Sequence, residues 1–150
     1  CIRLKNDNCN LLKQLLILSL LFCTFQAKAD TIPFCHIYYN NVKIIETNFF
    51  DPNELVLKID SIQVSDSITI RYFRDMPCFD CPTKLTIENE KHGILFTTTG
   101  KGTSSPLTFS VQELVRIQKQ GYNQSFEVFF SDELTTSRTM KQLIVRIQLE

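Results

Sequence analysis

The sequence predicts an all-β fold, an antiparallel immunoglobulin-like β-sandwich with one short crossing helix. Three observations predict it. Apolar and polar residues alternate with period two in six separate segments, the pattern of strands with one buried face. Turn-forming residues interrupt these segments at intervals of roughly 8–12 residues, as in sandwiches. Only one stretch, beginning at Ser110, follows a helical period instead. The alternative architecture is a small up-and-down barrel, which would need more evenly spaced hairpins.

The elements follow in order. In "HIYYNNVKII" two apolar runs flank Asn40-Asn41, and asparagine tolerates the positive φ of a tight hairpin turn. "ELVLKI" sets Leu55, Leu57 and Ile59 on one face, with Val56 and Lys58 on the other. "SITIRYF" does the same with Ile68, Ile70 and Tyr72. "TKLTIENEKHGILFTTT" reads as a hairpin, with Leu85 and Ile87 inward and His92 in the "ENEKHG" turn. Residues 97–108, "TTTGKGTSSPLT", read as a polar loop. Its Gly100 and Gly102 lack the spacing and the following helix of a phosphate-binding loop. "SVQELVRIQKQG" predicts the helix: Ser110 and Glu113 have capping-box spacing, Val111, Leu114 and Val115 share a face, and Gly121 stops the run. "SFEVFF" offers Phe126, Val128 and Phe130, and "KQLIVRIQLE" offers Leu143, Val145, Ile147 and Leu149.

Residues 12–29, "LKQLLILSLLFCTFQAKA", read as a secretory signal peptide. Lys13 is the positive region, Leu15 to Phe25 the apolar region, and Ala27-Lys28-Ala29 the cleavage site. The apolar run is too short for a membrane-spanning helix, which needs about 20 residues. A lipoprotein would be anchored at Cys23, but Phe22 before it is bulkier than the small residue that processing prefers. The chain begins with Cys1 rather than Met, and Leu12 is read as the initiator of the leader. Residues 1–29 are therefore upstream sequence and signal peptide, and Asp30 to Glu150 a single domain, long enough to bury its own core.

The whole chain has 16 basic and 16 acidic residues. Residues 1–29 contribute Arg3, Lys5, Lys13, Lys28 and Asp7, so the remainder holds twelve basic and fifteen acidic residues, a net charge near −3. A mildly acidic domain without a basic run offers no footprint for nucleic acid or an anionic membrane.

The chemistry centres on "MPCFDCPT", residues 76–83. The mature chain keeps Cys35, Cys78 and Cys81, and an exported protein meets an oxidising compartment. The leading expectation is a disulfide between Cys78 and Cys81 that shapes the turn, with a bond from Cys35 to either as a variant. A metal set of Cys35, His36, Cys78 and Cys81 has acceptable ligands for zinc or copper(I). However, adjacent strand residues point to opposite faces, so Cys35 and His36 reach one ion only from an irregular segment. A redox pair is disfavoured because no helix N-terminus follows to lower the thiol pKa, and Asp80 adds negative charge. His92 reads as a solvated turn residue. No "GxSxG" or "HExxH" is present, no carboxylate pair is nominated among the scattered acids, and no cofactor motif appears. Phe49-Phe50 and Phe129-Phe130 each send one ring outward, and Phe73 or Phe129 is a candidate for an exposed apolar patch. Asn123 in "NQS" fits the glycosylation pattern.

The order "IYYNN", then "DSITIRYFRDMPCFDCPTKLTIENEKHGIL", then "GKGTSSPLTFSVQEL", then "LIVRIQLE" resembles small exported proteins of Bacteroidetes, most specifically in "YFRDMPCFDC". The resemblance implies an exported single β-sandwich domain and transfers neither an activity nor a functional residue. The expected function is a non-catalytic binding or structural module of the cell envelope, secreted or periplasmic. Its expected partner is another envelope protein, met through a sheet edge or an apolar patch. The second expectation is a metal or thiol-redox site on the C-x-x-C turn.

Overall fold

The computed structural model describes residue 13 and residues 32–48, 50, 52–121, 124–132 and 141–150. The chain divides into Cys1–Asp30 and Thr31–Glu150, and the second unit holds every described strand. The signal peptide read over residues 12–29 (Lys13 apart), Cys23, Phe49 and Asn123 lie outside the described residues.

Among the described residues nine strands form two open sheets. They are β1 (Phe34–Tyr39), β2 (Val42–Asn48), β3 (Asn53–Leu57), β4 (Ser67–Phe73), β5 (Pro82–Asn89), β6 (Ile94–Lys101), β7 (Leu107–Ser110), β8 (Ser125–Asp132) and β9 (Gln142–Leu149). One sheet has the order β2-β1-β4-β7, the other β3-β9-β8-β5-β6. Neither closes on itself among the described residues, so the architecture is the sandwich and not the barrel. A helix, α1 (Val111–Lys119), carries the chain from β7 in one sheet to β8 in the other.

The local chemistry accounts for most of this. Asn40 and Asn41 take φ of 48° and 68°, the left-handed pair that closes a two-residue hairpin. Alternation in β4 buries Ile68, Ile70 and Tyr72, and alternation in β8 buries Phe126, Val128 and Phe130. With Ile37, Leu85, Ile87, Leu107, Phe109, Val145 and Ile147 they make one core between the sheets. Antibody domains pin their sheets with a disulfide. Here the pin is aromatic: Tyr72 on β4 meets Phe130 on β8 with ring centroids 4.5 Å apart.

Four expectations are corrected. The sandwich is not wholly antiparallel, because β3 pairs with β9 in parallel. The chain leaves β2 at the edge of one sheet and enters the other sheet beside its last strand, and no hairpin forces those two distant segments to oppose. Ile59 lies in a 3-10 turn (Ile59–Ser61) rather than in β3. The polar loop is only residues 102–106, since β6 runs through Lys101 and β7 begins at Leu107. Thr97, Thr99 and Lys101 face out along it while Gly100 faces in, where a Cβ would lie 2.5 Å from Leu107 Cδ2. Finally, Ser110 makes no side-chain cap. Glu113 binds Arg116 at 2.5 Å instead, and the Val111 N–H donates to the Asp66 carbonyl at 2.9 Å. The predicted helical face holds, with Val111, Leu114, Val115 and Ile117 buried.

Candidate functional site

Strands β2 and β3 are the edges of opposite sheets on the same side of the sandwich, and a groove of about 650 Å³ opens there. Ile44 of β2 and Leu55, Val56 and Leu57 of β3 line it, together with Tyr39 and Asp66. Ile44 is 41% and Val56 47% exposed, and Val42, two residues before Ile44 on β2, is exposed as well. A second hollow of about 310 Å³ lies further along the same two edges, between Glu46–Asn48 and Asn53. Strand edges carry backbone donors and acceptors ready for a further strand.

One end of the groove is rigid. The Tyr39 hydroxyl donates to Asp66 Oδ2 at 2.5 Å, Asn40 Nδ2 donates to Oδ1 at 2.8 Å, and the Gln63 N–H donates to Oδ2 at 2.8 Å. These bonds, that of Tyr39 foremost, hold the Asp66 carboxyl below its usual range. Burial chiefly, with the bond to Asp66, pushes the Tyr39 hydroxyl up to about 12. Asp66 therefore ties the β1–β2 turn to the 63–66 turn and, through its carbonyl, to the start of α1. It reads as a structural clamp rather than a catalytic acid.

The aromatic candidates are less available than the sequence suggests. Phe73 is half-buried, its ring stacked on Phe34 at 5.0 Å and tilted against His36 at 4.8 Å. Phe129 is half-buried, with the Lys141 ammonium 5.8 Å from its ring centre. The structure does bring two acids together. Glu88 and Glu127 are cross-strand neighbours on β5 and β8, with His92 at 3.9 and 3.6 Å from their carboxylates. Each has its own cation, Lys141 on Glu88 and Arg146 on Glu127 at 3.0 Å. Carboxylates matched in this way act as a charge ladder across the sheet.

The cysteines occupy another part of the molecule. Cys35 is fully buried in the core, and burial pushes its thiol up to about 12. His36 faces the other way, with Nε2 2.9 Å from Glu46 Oε2. The expected metal set of Cys35, His36, Cys78 and Cys81 is thus not assembled, because strand alternation divides its Cys-His half. Among the described residues no three His, Cys, Asp or Glu side chains are grouped to share an ion. All three cysteines are free thiols, so the bridge expected between Cys78 and Cys81 is not formed. Instead, Cys78 Sγ accepts the Cys81 N–H at 2.9 Å.

That loop is clamped to residues 102 and 103. The Cys78 N–H donates to Thr103 Oγ1 at 2.9 Å, the Thr103 N–H to the Cys78 carbonyl at 2.7 Å, and the Gly102 N–H to the Cys81 carbonyl at 2.8 Å. Gly102 has φ +87°, and a Cβ there would stand 2.7 Å from the Phe79 carbonyl oxygen. Gly102→Ala is therefore expected to cost more than about 1 kcal/mol of stability and to speed alkylation of native Cys81. Urea titration and a timed iodoacetamide reaction check this; wild-type values for both would mean that the clamp does not hold the loop.

Among the described residues no helix is long and apolar enough to cross a membrane. Set against known proteins, the chain matches no family model, no curated protein and no solved structure.

Proposed function

We propose that this domain is a non-catalytic binding module of the cell envelope, secreted or periplasmic, that takes an extended apolar segment of another envelope protein into the groove between β2 and β3. The observation that carries the proposal is the exposure of Ile44 and Val56 on the flanking edges of two sheets. A segment laid there would gain backbone hydrogen bonds from an edge strand, and alternate side chains would enter the groove. The volume of about 650 Å³ lies in the range of built ligand pockets, roughly 300–1,000 Å³. Export is supported by the leader-like residues 12–29 and by the resemblance to exported Bacteroidetes proteins. A net charge near −3 for Asp30 to Glu150 favours a protein partner over a polyanion.

The test places a photo-crosslinking amino acid at Ile44 in the producing organism, with Glu90 as the exposed control position. A single major adduct is expected from position 44 and none from 90. Binding of the identified partner segment to the purified domain is then measured by calorimetry. Ile44→Lys combined with Val56→Lys is expected to weaken it at least about 30-fold, the loss of one or two buried anchors. The same pair should leave the urea midpoint nearly unchanged, since substitutions at exposed positions stay within about 0.5 kcal/mol. Equal adducts at both positions would sink the proposal.

A further inference from the structure

The loop from Met76 to Cys81 has features that a turn-shaping clip does not need. Its two thiols are unequal. Cys78 is half-buried and reachable, whereas Cys81 is 9% exposed and lies behind it. The Cys78 sulfur accepts the Cys81 backbone N–H at 2.9 Å, and the Cys81 thiol lies 3.9 Å from the Cys78 carbonyl oxygen. Donors aimed at sulfur favour the thiolate, which is the reactive form. The absence of a following helix, which told against a redox pair in the sequence, loses some of its force, because the turn itself aims a backbone N–H at the sulfur.

The charge of Asp80 is likewise blunted. Its carboxylate is solvated and pairs with Lys101 Nζ at 2.9 Å, so its field at the sulfur is reduced. The balance agrees with this. Cys78 is held below the ordinary thiol value, with the Cys81 bond as the largest cause. Cys81 is raised, first by burial and then by donating to Cys78. The pair is also rigidly presented. Thr103, itself fully buried, accepts the Cys78 N–H at 2.9 Å and returns a bond to its carbonyl at 3.1 Å. On the outside, Met76 is 79% and Phe79 82% exposed, two apolar side chains flanking the accessible sulfur.

We infer that Cys78 and Cys81 form a thiol–disulfide exchange site for disulfides carried by extended peptide segments, with Cys78 attacking and Cys81 resolving. The Cys78 thiolate attacks one sulfur of the substrate disulfide. That S–S bond breaks, a mixed disulfide forms on Cys78, and the leaving thiolate takes a proton from water. Cys81 then gives up its proton to water and attacks the Cys78 sulfur. The mixed disulfide breaks, the second substrate thiol departs, and a Cys78–Cys81 bond remains. Two electrons pass from the pair to the substrate, and the reverse sequence oxidises a peptide dithiol. Met76 and Phe79 supply the contact that distinguishes a peptide from a small disulfide. This site is separate from the β2–β3 groove, and its success or failure leaves the binding proposal untouched.

The experiment uses the full chain, reduced, with Cys1, Cys9 and Cys23 changed to serine in every variant, and oxidised glutathione and a synthetic peptide containing one intramolecular disulfide as probes. Mass spectrometry of acid-quenched samples follows the products. Wild type should pass to the internal disulfide, and Cys81→Ser should stop at one mixed disulfide on Cys78. Cys78→Ser should form no adduct at early times. Cys81→Ala replaces Cys81→Ser should the hydroxyl prevent folding. Across glutathione buffers, the pair should change between dithiol and disulfide within the accessible range of ratios. A pair that stays oxidised at every ratio is a structural clip, and the inference falls. It falls equally if Cys81→Ser and Cys78→Ser trap adducts to the same extent. Met76→Asp with Phe79→Asp should lower the ratio of the peptide rate to the glutathione rate by about tenfold, the value of one modest apolar contact. An unchanged ratio would overturn the peptide assignment.

Discussion

Phe126→Ala is expected to lower the unfolding free energy by about 3–5 kcal/mol. Phe126 is the largest of the fully buried side chains, and it stands opposite Ile147 in the β8–β9 register. Its removal leaves a void between two strands whose backbones are fixed by neighbours on both sides, so collapse around it is restricted. A domain of this size holds only about 5–15 kcal/mol in total, and the variant is left marginal or unfolded at body temperature. Urea or guanidinium titration measures it, read as a lower midpoint at unchanged slope. Phe79→Ala, at a solvated ring on the cysteine loop, is the matched control and should move stability by less than about 0.5 kcal/mol. Equal losses from the two would mean that the core does not lie between the sheets as described.

The second large effect is alkaline. Cys35 is sealed in the core, and burial raises its thiol from an ordinary 9.0 to about 12. Tyr72, its cross-strand neighbour on β4, is raised to about 12 from 10.0, again chiefly by burial. For a group whose folded value lies above its unfolded one, the stabilising contribution is complete below the unfolded value. It is lost as pH rises through the folded one. The unfolded chain ionises first, so stability should decline from near pH 9 toward pH 12. At about 1.4 kcal/mol per unit of separation, Cys35 alone accounts for on the order of 4 kcal/mol of that decline. Urea midpoints at pH 7, 9, 10 and 11, taken with reductant present, would trace it. Cys35→Ala should flatten the curve while leaving the Tyr72 portion, and an identical curve in the variant would refute the assignment.

These two residues also show how far the fold could be read from sequence. Phe126 and Tyr72 sit in strict alternations, and alternation reports on one strand at a time, so each inner face was legible residue by residue. The Asn40-Asn41 turn was legible because two adjacent asparagines satisfy a dihedral requirement that few residues meet. Strand length was less so. The threonines of β6 face water on one side and a glycine faces the core on the other, a weak contrast that reads as a loop until Leu107 supplies the reason for Gly100. The parallel β3–β9 pair was not legible, since direction is decided by where a crossing lands and not by either strand's own residues.

The candidate sites divide in the same way. Val56 was correctly placed on an outward face, but that Ile44 would flank it depends on which strands become edges. The sequence named Cys78 and Cys81, yet the donor that distinguishes their sulfurs is a backbone N–H, and backbone carries no letter. Thr103, which fixes the loop, lies over twenty residues away in a segment whose composition suggested nothing beyond a turn. His36 illustrates the opposite case. Its neighbour relation to Cys35 argued against a shared ion from the start, and the strand geometry decides the matter.

The aromatic pin between Tyr72 and Phe130 has a consequence for manufacture and for timing. A sandwich riveted by sulfur waits for an oxidant before its two layers are committed to each other, and it comes apart when a reductant arrives. Here the joint is complete as soon as the rings meet, so the layers associate equally well under oxidising and reducing conditions. The cysteine loop is thereby relieved of any duty to hold the domain together, so the exchange proposed for it would leave the scaffold beneath it the same.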